Sequence, residues 1–85
     1  MTETTMATIR RLLINDLFID KTEEAIGLDD DLAKDVGLDS IGCAELRVLC
    51  ERTFNVQIPE EEYGPENFKS VRSLATLVQR LQAGG

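Results

Sequence analysis

The chain has 85 residues, of which 42% are hydrophobic, and it carries a net charge of −7 with no histidine. This length predicts one small domain over residues 1–85, with an ordered core over about residues 5–82. The acidity argues against binding to nucleic acid or to anionic membranes, and it favours partners with basic surfaces.

The apolar stretches and the two cysteines bear on localisation and on metal binding. No stretch is long or apolar enough to span a membrane, and the first residues lack the pattern of a secretory signal. Cys43 and Cys50 lie two helical turns apart, too far for a disulfide within one helix. Without histidine or a close cysteine pair, they predict no metal site. We therefore expect a cytoplasmic protein whose reduced cysteines contribute to packing.

The first predicted helix runs from about Thr5 to Ile19, because apolar residues recur there at steps of three and four. An acidic loop (residues 20–39) follows, with irregularly spaced apolar residues. We predict that these residues pin the loop to the core and that one helical turn forms near Asp31–Lys34. The expected anchors are Ile26, Leu28, Leu32, Val36 and Leu38. Ordered loops of this length are usually functional.

The second helix is predicted from about Ser40 to Thr53, with Asp39 as its N-cap. Its periodicity favours a buried face formed by Ile41, Ala44, Val48 and Leu49, with Leu46 and Cys50 near the flank of that face. The charged residues of the helix are assigned to solvent, namely Glu45, Arg47, Glu51 and Arg52.

The rest of the chain predicts an extended connector, a short helix and a last helix. Residues 54–58 alternate between apolar and polar but have no partner strand, so we expect an extended connector that stops at Pro59. A short third helix, interrupted by Gly64 and Pro65, is predicted over Glu60–Phe68 and anchored by Tyr63 and Phe68. Ser70 caps the last helix, and residues 82–85 are expected to fray. The predicted fold is all-α, a small four-helix bundle with a long loop between helices 1 and 2.

The most informative motif is GLDSIG at residues 37–42, which places Ser40 at a helix start directly after Asp39. A helix start presents free N–H groups and a partial positive charge, which favour a phosphate ester. No histidine is present to take the proton of the serine. The motif therefore predicts a serine that is modified rather than a nucleophile.

The stretch DVGLDSI at residues 35–41 resembles the attachment motif of acyl carrier proteins. Residues 45–46 and 51–54 resemble the second helix of that family, and residues 56–62 resemble the connector into its third helix. Ser70, Val71 and the periodic run that follows resemble its last helix. The similarity covers nearly the whole chain, and residues 32–81 are its most specific part. The resemblance implies that a phosphopantetheinyl transferase moves 4′-phosphopantetheine from coenzyme A to Ser40. The thiol of this phosphopantetheine arm would then carry acyl groups as thioesters.

The same resemblance implies a monomeric shuttle rather than an enzyme. Its further partners would be an acyl-loading enzyme and a synthase or acyltransferase with basic docking patches. The residues implied in partner recognition are Asp35, Asp39, Ile41, Glu45 and Glu51. Weak, salt-sensitive contacts suit a carrier that must leave each partner.

Two departures from the family bear on the cargo. Arg47 and Arg52 lie on a helix that is mostly acidic in fatty-acid carriers, and the paired glycines of many peptidyl carriers are absent before Ser40. We therefore favour polyketide or related specialised biosynthesis. A fatty-acid or an aminoacyl or peptidyl carrier is the alternative, and the sequence does not identify the acyl group.

Other functional classes fit less well. The hydrolase elbow Gly-x-Ser-x-Gly is absent, and no histidine completes a triad, so we predict no catalytic residue. An EF-hand loop counted from Asp29 fails because Ala33 and Lys34 occupy its fifth and sixth positions. A helical adaptor protein without modification would also explain the fold and the charge. Labelling of Ser40 with phosphopantetheine distinguishes the two classes, because an adaptor would gain no pantetheine.

Overall fold

The computed structural model of the chain describes residues 2–84 and contains three α-helices. They are α1 (Thr2–Arg11), α2 (Ser40–Phe54) and α3 (Val71–Gly84). Shorter elements are a π-helical turn at Leu12–Asp16 and 3₁₀ turns at Glu23–Ala25 and Glu60–Glu62. Residues 2–84 contain no β-strand, which confirms the all-α class.

The first helix ends earlier than predicted. The turn Leu12–Asp16 widens because the N–H of Leu17 donates to the carbonyl of Leu12 at 3.1 Å, five residues back. Phe18 then takes a left-handed conformation with φ of 57°, which ends the helical path before the predicted boundary at Ile19. The apolar stripe itself is confirmed, since Ile9 and Leu13 are fully buried.

The acidic loop is pinned to the core, as predicted. Ile26, Leu32, Val36 and Leu38 are buried, and Leu28 packs against them. The N–H of Leu32 donates to the carbonyl of Lys69 at 2.8 Å, which ties the loop to the start of α3. The predicted helical turn is present, because the N–H of Asp35 donates to the carbonyl of Asp31 at 2.8 Å.

The predicted buried face of α2 is wrong. Leu46 and Cys50 are fully buried, whereas Ile41 and Val48 are 71% and 44% exposed and Ala44 is also exposed. Both sets of residues recur at helical spacing, so periodicity alone does not decide which set faces the core. The tertiary contacts of α2 select the face that contains Leu46.

Arg47 and Glu51 bind the connector, although the sequence assigned both to solvent. The Nη2 of Arg47 donates to the carbonyl of Ile58 at 2.7 Å, and the N–H of Ile58 donates to Oε2 of Glu51 at 2.8 Å. Two side chains one helical turn apart therefore satisfy both backbone groups of Ile58, which is 1% exposed. This pairing replaces the partner strand that the extended connector lacks.

The predicted third helix over Glu60–Phe68 is wrong in extent. The structure shows the 3₁₀ turn Glu60–Glu62 and then one hydrogen-bonded turn, in which the N–H of Phe68 donates to the carbonyl of Gly64 at 3.1 Å. Gly64 lowers helix propensity, and Pro65 lacks the N–H that a continuous helix needs at that position. The described residues therefore form three α-helices rather than a four-helix bundle.

The start of α3 is confirmed, and its end is longer than predicted. The N–H of Ser73 donates to Oγ of Ser70 at 3.1 Å, as expected for an N-cap. The helix continues to Gly84, so the predicted fraying is wrong for residues 82–84, and Gly85 lies outside the described residues. None of the described helices is long and apolar enough to cross a membrane.

Candidate functional site

Asp39 caps α2 and thereby fixes the position of Ser40. Its backbone is extended, with φ of −91° and ψ of −176°, and its Oδ1 accepts the N–H of Gly42 at 2.7 Å. Its carbonyl accepts the N–H of Cys43 at 2.9 Å, which begins the helix. Ser40 is consequently the first helical residue, and it is exposed to solvent. The predicted cap is confirmed.

Two glycines shape the backbone around this cap. Gly37 has φ of +89°, a conformation that side-chain-bearing residues rarely adopt, and it lets the chain turn between buried Val36 and Leu38. A Cβ at Gly42 would lie 2.7 Å from Cδ1 of Leu38, so Gly42 makes room for that anchor. The sequence did not predict this close approach.

A helical turn immediately before the cap is held by its own carboxylates. Oδ1 of Asp31 accepts the N–H groups of Ala33 and Lys34, both at 2.9 Å. The hydrogen bond from Lys34 is the main reason that the pKa of Asp31 lies below its ordinary value. Oδ2 of Asp35 accepts the N–H of Asp31 at 2.9 Å. Asp35, a predicted recognition residue, is therefore exposed but engaged in this turn.

An open cleft of about 630 Å³ lies beside Ser40, and we call it the serine cleft. Its walls are Ser40 and Cys43 of α2, Asp31, Ala33 and Lys34 of the acidic loop, and the segment 63–69 without Asn67. Tyr63 meets Phe68 edge to face, with ring centroids 5.0 Å apart and planes at 87°. Sequence reasoning proposed Tyr63 and Phe68 as anchors of a helix. No continuous helix forms there, but Phe68 is buried in the core and Tyr63 packs against it, and both residues also line this cleft.

Both cysteines are free, and their surroundings disfavour the thiolate. Burial, followed by the charge of Asp39, raises the pKa of the Cys43 thiol. Burial raises the pKa of Cys50 to about 12. Among residues 2–84, no group of three or more His, Cys, Asp or Glu residues is arranged to hold a metal ion.

The outer face of α2 forms a second, shallower groove of about 530 Å³ that also begins at Ser40. The groove is lined by Ser40, Ile41, Ala44, Glu45, Val48, Leu49 and Arg52. Of the predicted recognition residues, Ile41 and Glu45 thus lie together beside Ser40. Glu51 does not line this groove, because it binds the connector. Sequence reasoning missed the contribution of Val48, which it placed in the core.

Comparisons with known proteins identify the family of the chain. Residues 7–78 match the family described as "Phosphopantetheine attachment site". The chain is also 36% identical to the D-alanyl carrier proteins of Streptococcus pyogenes serotype M5 (strain Manfredo) and serotype M1. Each alignment spans 70 residues and covers 82% of this chain and 86% of the relative. The family match also identifies covalently attached 4′-phosphopantetheine as the cofactor, as predicted.

Proposed function

The chain belongs to the family of phosphopantetheine-binding acyl carrier proteins, and from this premise we propose that Ser40 is its attachment residue. The observation that carries the proposal is the exposed position of Ser40 as the first residue of α2, directly after the cap Asp39. An exposed hydroxyl at this place is open to a transferase, and the cap holds the helix start in one conformation.

The surroundings of Ser40 fit a phosphodiester-linked arm. A helix start has N–H groups without intrahelical partners and a partial positive charge, which together stabilise a phosphate. The serine cleft offers apolar surface next to the attachment point, including Tyr63 and Phe68. When bound, the arm supplies a terminal thiol on which a carboxylic acid is carried as a thioester.

We propose that the chain itself does no chemistry. Transfer of a phosphate ester to Ser40 needs a base to take the hydroxyl proton, and the sequence has no histidine. The transferase would supply that base, while Asp39 and Ser40 supply a fixed, accessible hydroxyl. The chain then serves as a single carrier domain over residues 1–85, acting as a cytoplasmic monomer.

We propose that the cargo is a small aminoacyl group. The relatives reported above are named D-alanyl carrier proteins, and nothing in the comparisons supports the polyketide role favoured by the sequence analysis. That role rested on Arg47 and Arg52 as unusual charges on the second helix and on the absence of paired glycines before Ser40. Arg47 binds the connector, so its presence is explained by the fold and does not bear on the pathway.

We propose that partners dock on the outer face of α2. The exposed apolar side chains of Ile41 and Val48 lie there beside the carboxylate of Glu45, next to Ser40. A transferase, a loading enzyme and an acyltransferase with basic patches would use this face in turn, because opposite charges accelerate encounter without prolonging it. Asp35, Asp39 and Glu51 remain predicted recognition residues that also have contacts within the fold.

The test is loading in vitro. The purified chain is incubated with coenzyme A and a promiscuous phosphopantetheinyl transferase, and intact mass is followed by fragmentation. We expect one phosphopantetheine increment, located on Ser40. A well-folded chain that gains no increment would favour the helical adaptor instead.

A further inference from the structure

Two of the three lysines in the chain border the serine cleft. Lys34 and Lys69 line it together with Ser40, whereas Lys21 is not among its lining residues. The N–H of Leu32 donates to the carbonyl of Lys69 at 2.8 Å, so the two backbone segments that carry these lysines are held side by side. Each ammonium group is carried on a flexible four-carbon stem, which lets it follow an anion placed in the cleft.

The charges of these two lysines are not used to hold the fold together. Within the part of the chain that the structure describes, the ion pairs all use arginine, and neither ammonium group takes part in one. The pKa of Asp31 is lowered mainly by the backbone hydrogen bond from Lys34, and the charges of Lys34 and Lys69 contribute as well. Both ammonium groups therefore lie close enough to the same carboxylate to act on it.

The two carboxylates of the serine cleft leave this positive charge available. Oδ1 of Asp31 already accepts two backbone N–H groups, both at 2.9 Å. Glu66 is exposed and takes part in none of the ion pairs described for residues 2–84. The lysines can therefore bind an anion placed at Ser40, although the cleft also contains acidic residues.

The groove on the outer face of α2 also begins at Ser40, but it offers different charges. Its charged residue nearest to Ser40 along the helix is Glu45, whose carboxylate repels a phosphate. Its cation, Arg52, lies twelve residues after Ser40, which corresponds to about 18 Å along the helix axis. Of the two spaces that begin at Ser40, the serine cleft is therefore the one that attracts a negatively charged group on this residue.

We propose that Lys34 and Lys69 are positioning residues that bind the phosphodiester of the arm at Ser40 and turn the arm toward the serine cleft. The inference rests on the proposed attachment at Ser40 and deepens it, because it names the residues that set the direction in which the arm leaves the helix. The free N–H groups at the start of α2 and the two ammonium groups bind the phosphate together. The outer face of α2 then stays uncovered and open to partners.

The lysines can be observed directly, because the chain has only three. The unloaded and the loaded chain are both methylated with ¹³C-formaldehyde, which labels each lysine and keeps its charge, and Lys→Gln variants assign the NMR signals. On loading, we expect the signals of Lys34 and Lys69 to shift and their titration midpoints to rise by a few tenths of a pH unit, because a nearby anion favours the charged form. Lys21 should not respond. Unchanged signals for Lys34 and Lys69, or an equal change for Lys21, would overturn the inference.

The direction of the arm is measured with a spin label. The transferase loads the chain from coenzyme A whose thiol carries a nitroxide, and broadening of backbone amide signals reports which residues lie near the label. In the natural chain, broadening should be strongest at residues 63–69 of the serine cleft. In Lys34→Gln/Lys69→Gln, it should fall there several-fold and rise at Ala44 and Val48 of the outer face. The same pattern in both proteins would overturn the positioning role.

Two control variants separate a local effect from the net charge of the chain. Lys21→Gln removes the same charge from the acidic loop outside the cleft, and we expect the pattern of the natural chain. Lys34→Arg/Lys69→Arg keeps both charges and should give that pattern as well. If Lys21→Gln redirected the label as strongly as the double glutamine variant, the inference would be overturned. Failure of the natural chain to load at Ser40 would instead overturn the proposed function.

Discussion

The two faces of α2 carry the same kinds of charge and use them differently. Glu45 and Arg52 are exposed on the outer face beside Ile41 and Val48. Glu51 and Arg47 instead bind the backbone of Ile58 and hold the connector against the helix. A charged residue on a carrier helix is therefore not evidence of a docking surface until its partners within the fold are known.

The largest expected contrast is between two serines at helix starts. Ser40→Ala should abolish loading and leave the fold intact, because Ser40 is exposed and Asp39 supplies the cap. Ser70→Ala should load normally but lose about 1 kcal/mol of stability, because Ser70 caps α3. Loading is measured by intact mass, and stability by urea unfolding. Retained pantetheine on Ser40→Ala would contradict the site.

Truncation of apolar residues separates the buried face from the outer face. Leu46→Ala should lower the free energy of unfolding by about 2–5 kcal/mol, because Leu46 is fully buried. Val48→Ala should change it by less than about 0.5 kcal/mol, since Val48 is 44% exposed. Urea unfolding of both variants measures the difference, and equal losses would mean that the helix face is misassigned.

Glu51 and Glu45 should also differ in their effect on the free energy of unfolding, by less than Leu46 and Val48. Glu51→Ala should destabilise the fold by about 1–3 kcal/mol, because it leaves the buried N–H of Ile58 without its acceptor. Glu51→Gln keeps an acceptor and should recover most of this loss. Glu45→Ala should have almost no effect on unfolding. A loss in Glu45→Ala as large as that in Glu51→Ala would remove the distinction between the two faces.

Glu45 should instead affect how fast the transferase associates with the chain. Glu45→Lys reverses a charge on the outer face next to Ser40, so loading by the transferase should slow a few-fold at low salt. The difference should shrink as salt rises, because the Debye length falls to about 8 Å at physiological ionic strength. Glu24→Lys makes the same charge change at an exposed position on the acidic loop. Equal slowing in both variants would mean that the effect comes from the net charge of the chain rather than from docking on the outer face of α2.

The smallest effect is expected for an ion pair away from α2. A hydrogen bond from Arg72 holds the pKa of Asp29 below its ordinary value of 3.8. The pair therefore stabilises the fold above that pH, and the contribution is lost as pH falls through the lowered pKa. Asp29→Asn should slightly flatten the loss of stability on acidification in urea unfolding. An unchanged acid profile would mean that this exposed pair contributes nothing measurable.

The sequence predicted features that depend on neighbouring residues and missed those set by distant contacts. The caps at Asp39 and Ser70 follow from local side-chain chemistry, and the anchors of the acidic loop follow from isolated apolar residues in an acidic segment. The buried face of α2 depends on its contacts with α3 and the turn Leu12–Asp16, and Arg47 binds a residue eleven positions away. Helical periodicity contains neither kind of information.

The candidate site divides in the same way. Ser40 and Asp39 were recognisable from the attachment motif, because the first residue of a helix and its cap are adjacent in the sequence. The serine cleft was not, since its opposite wall comes from Tyr63 and Phe68 in a segment expected to be helical. Only the folded chain brings that wall to Ser40.

Attachment at Ser40 can be examined on the protein isolated from its native cells. Fragmentation of the peptide that contains Ser40 measures both the site and the mass of whatever it carries. Attachment at Ser40 predicts phosphopantetheine on that residue, present alone and with a small acyl increment. An unmodified Ser40, or an arm on a different residue, would contradict it.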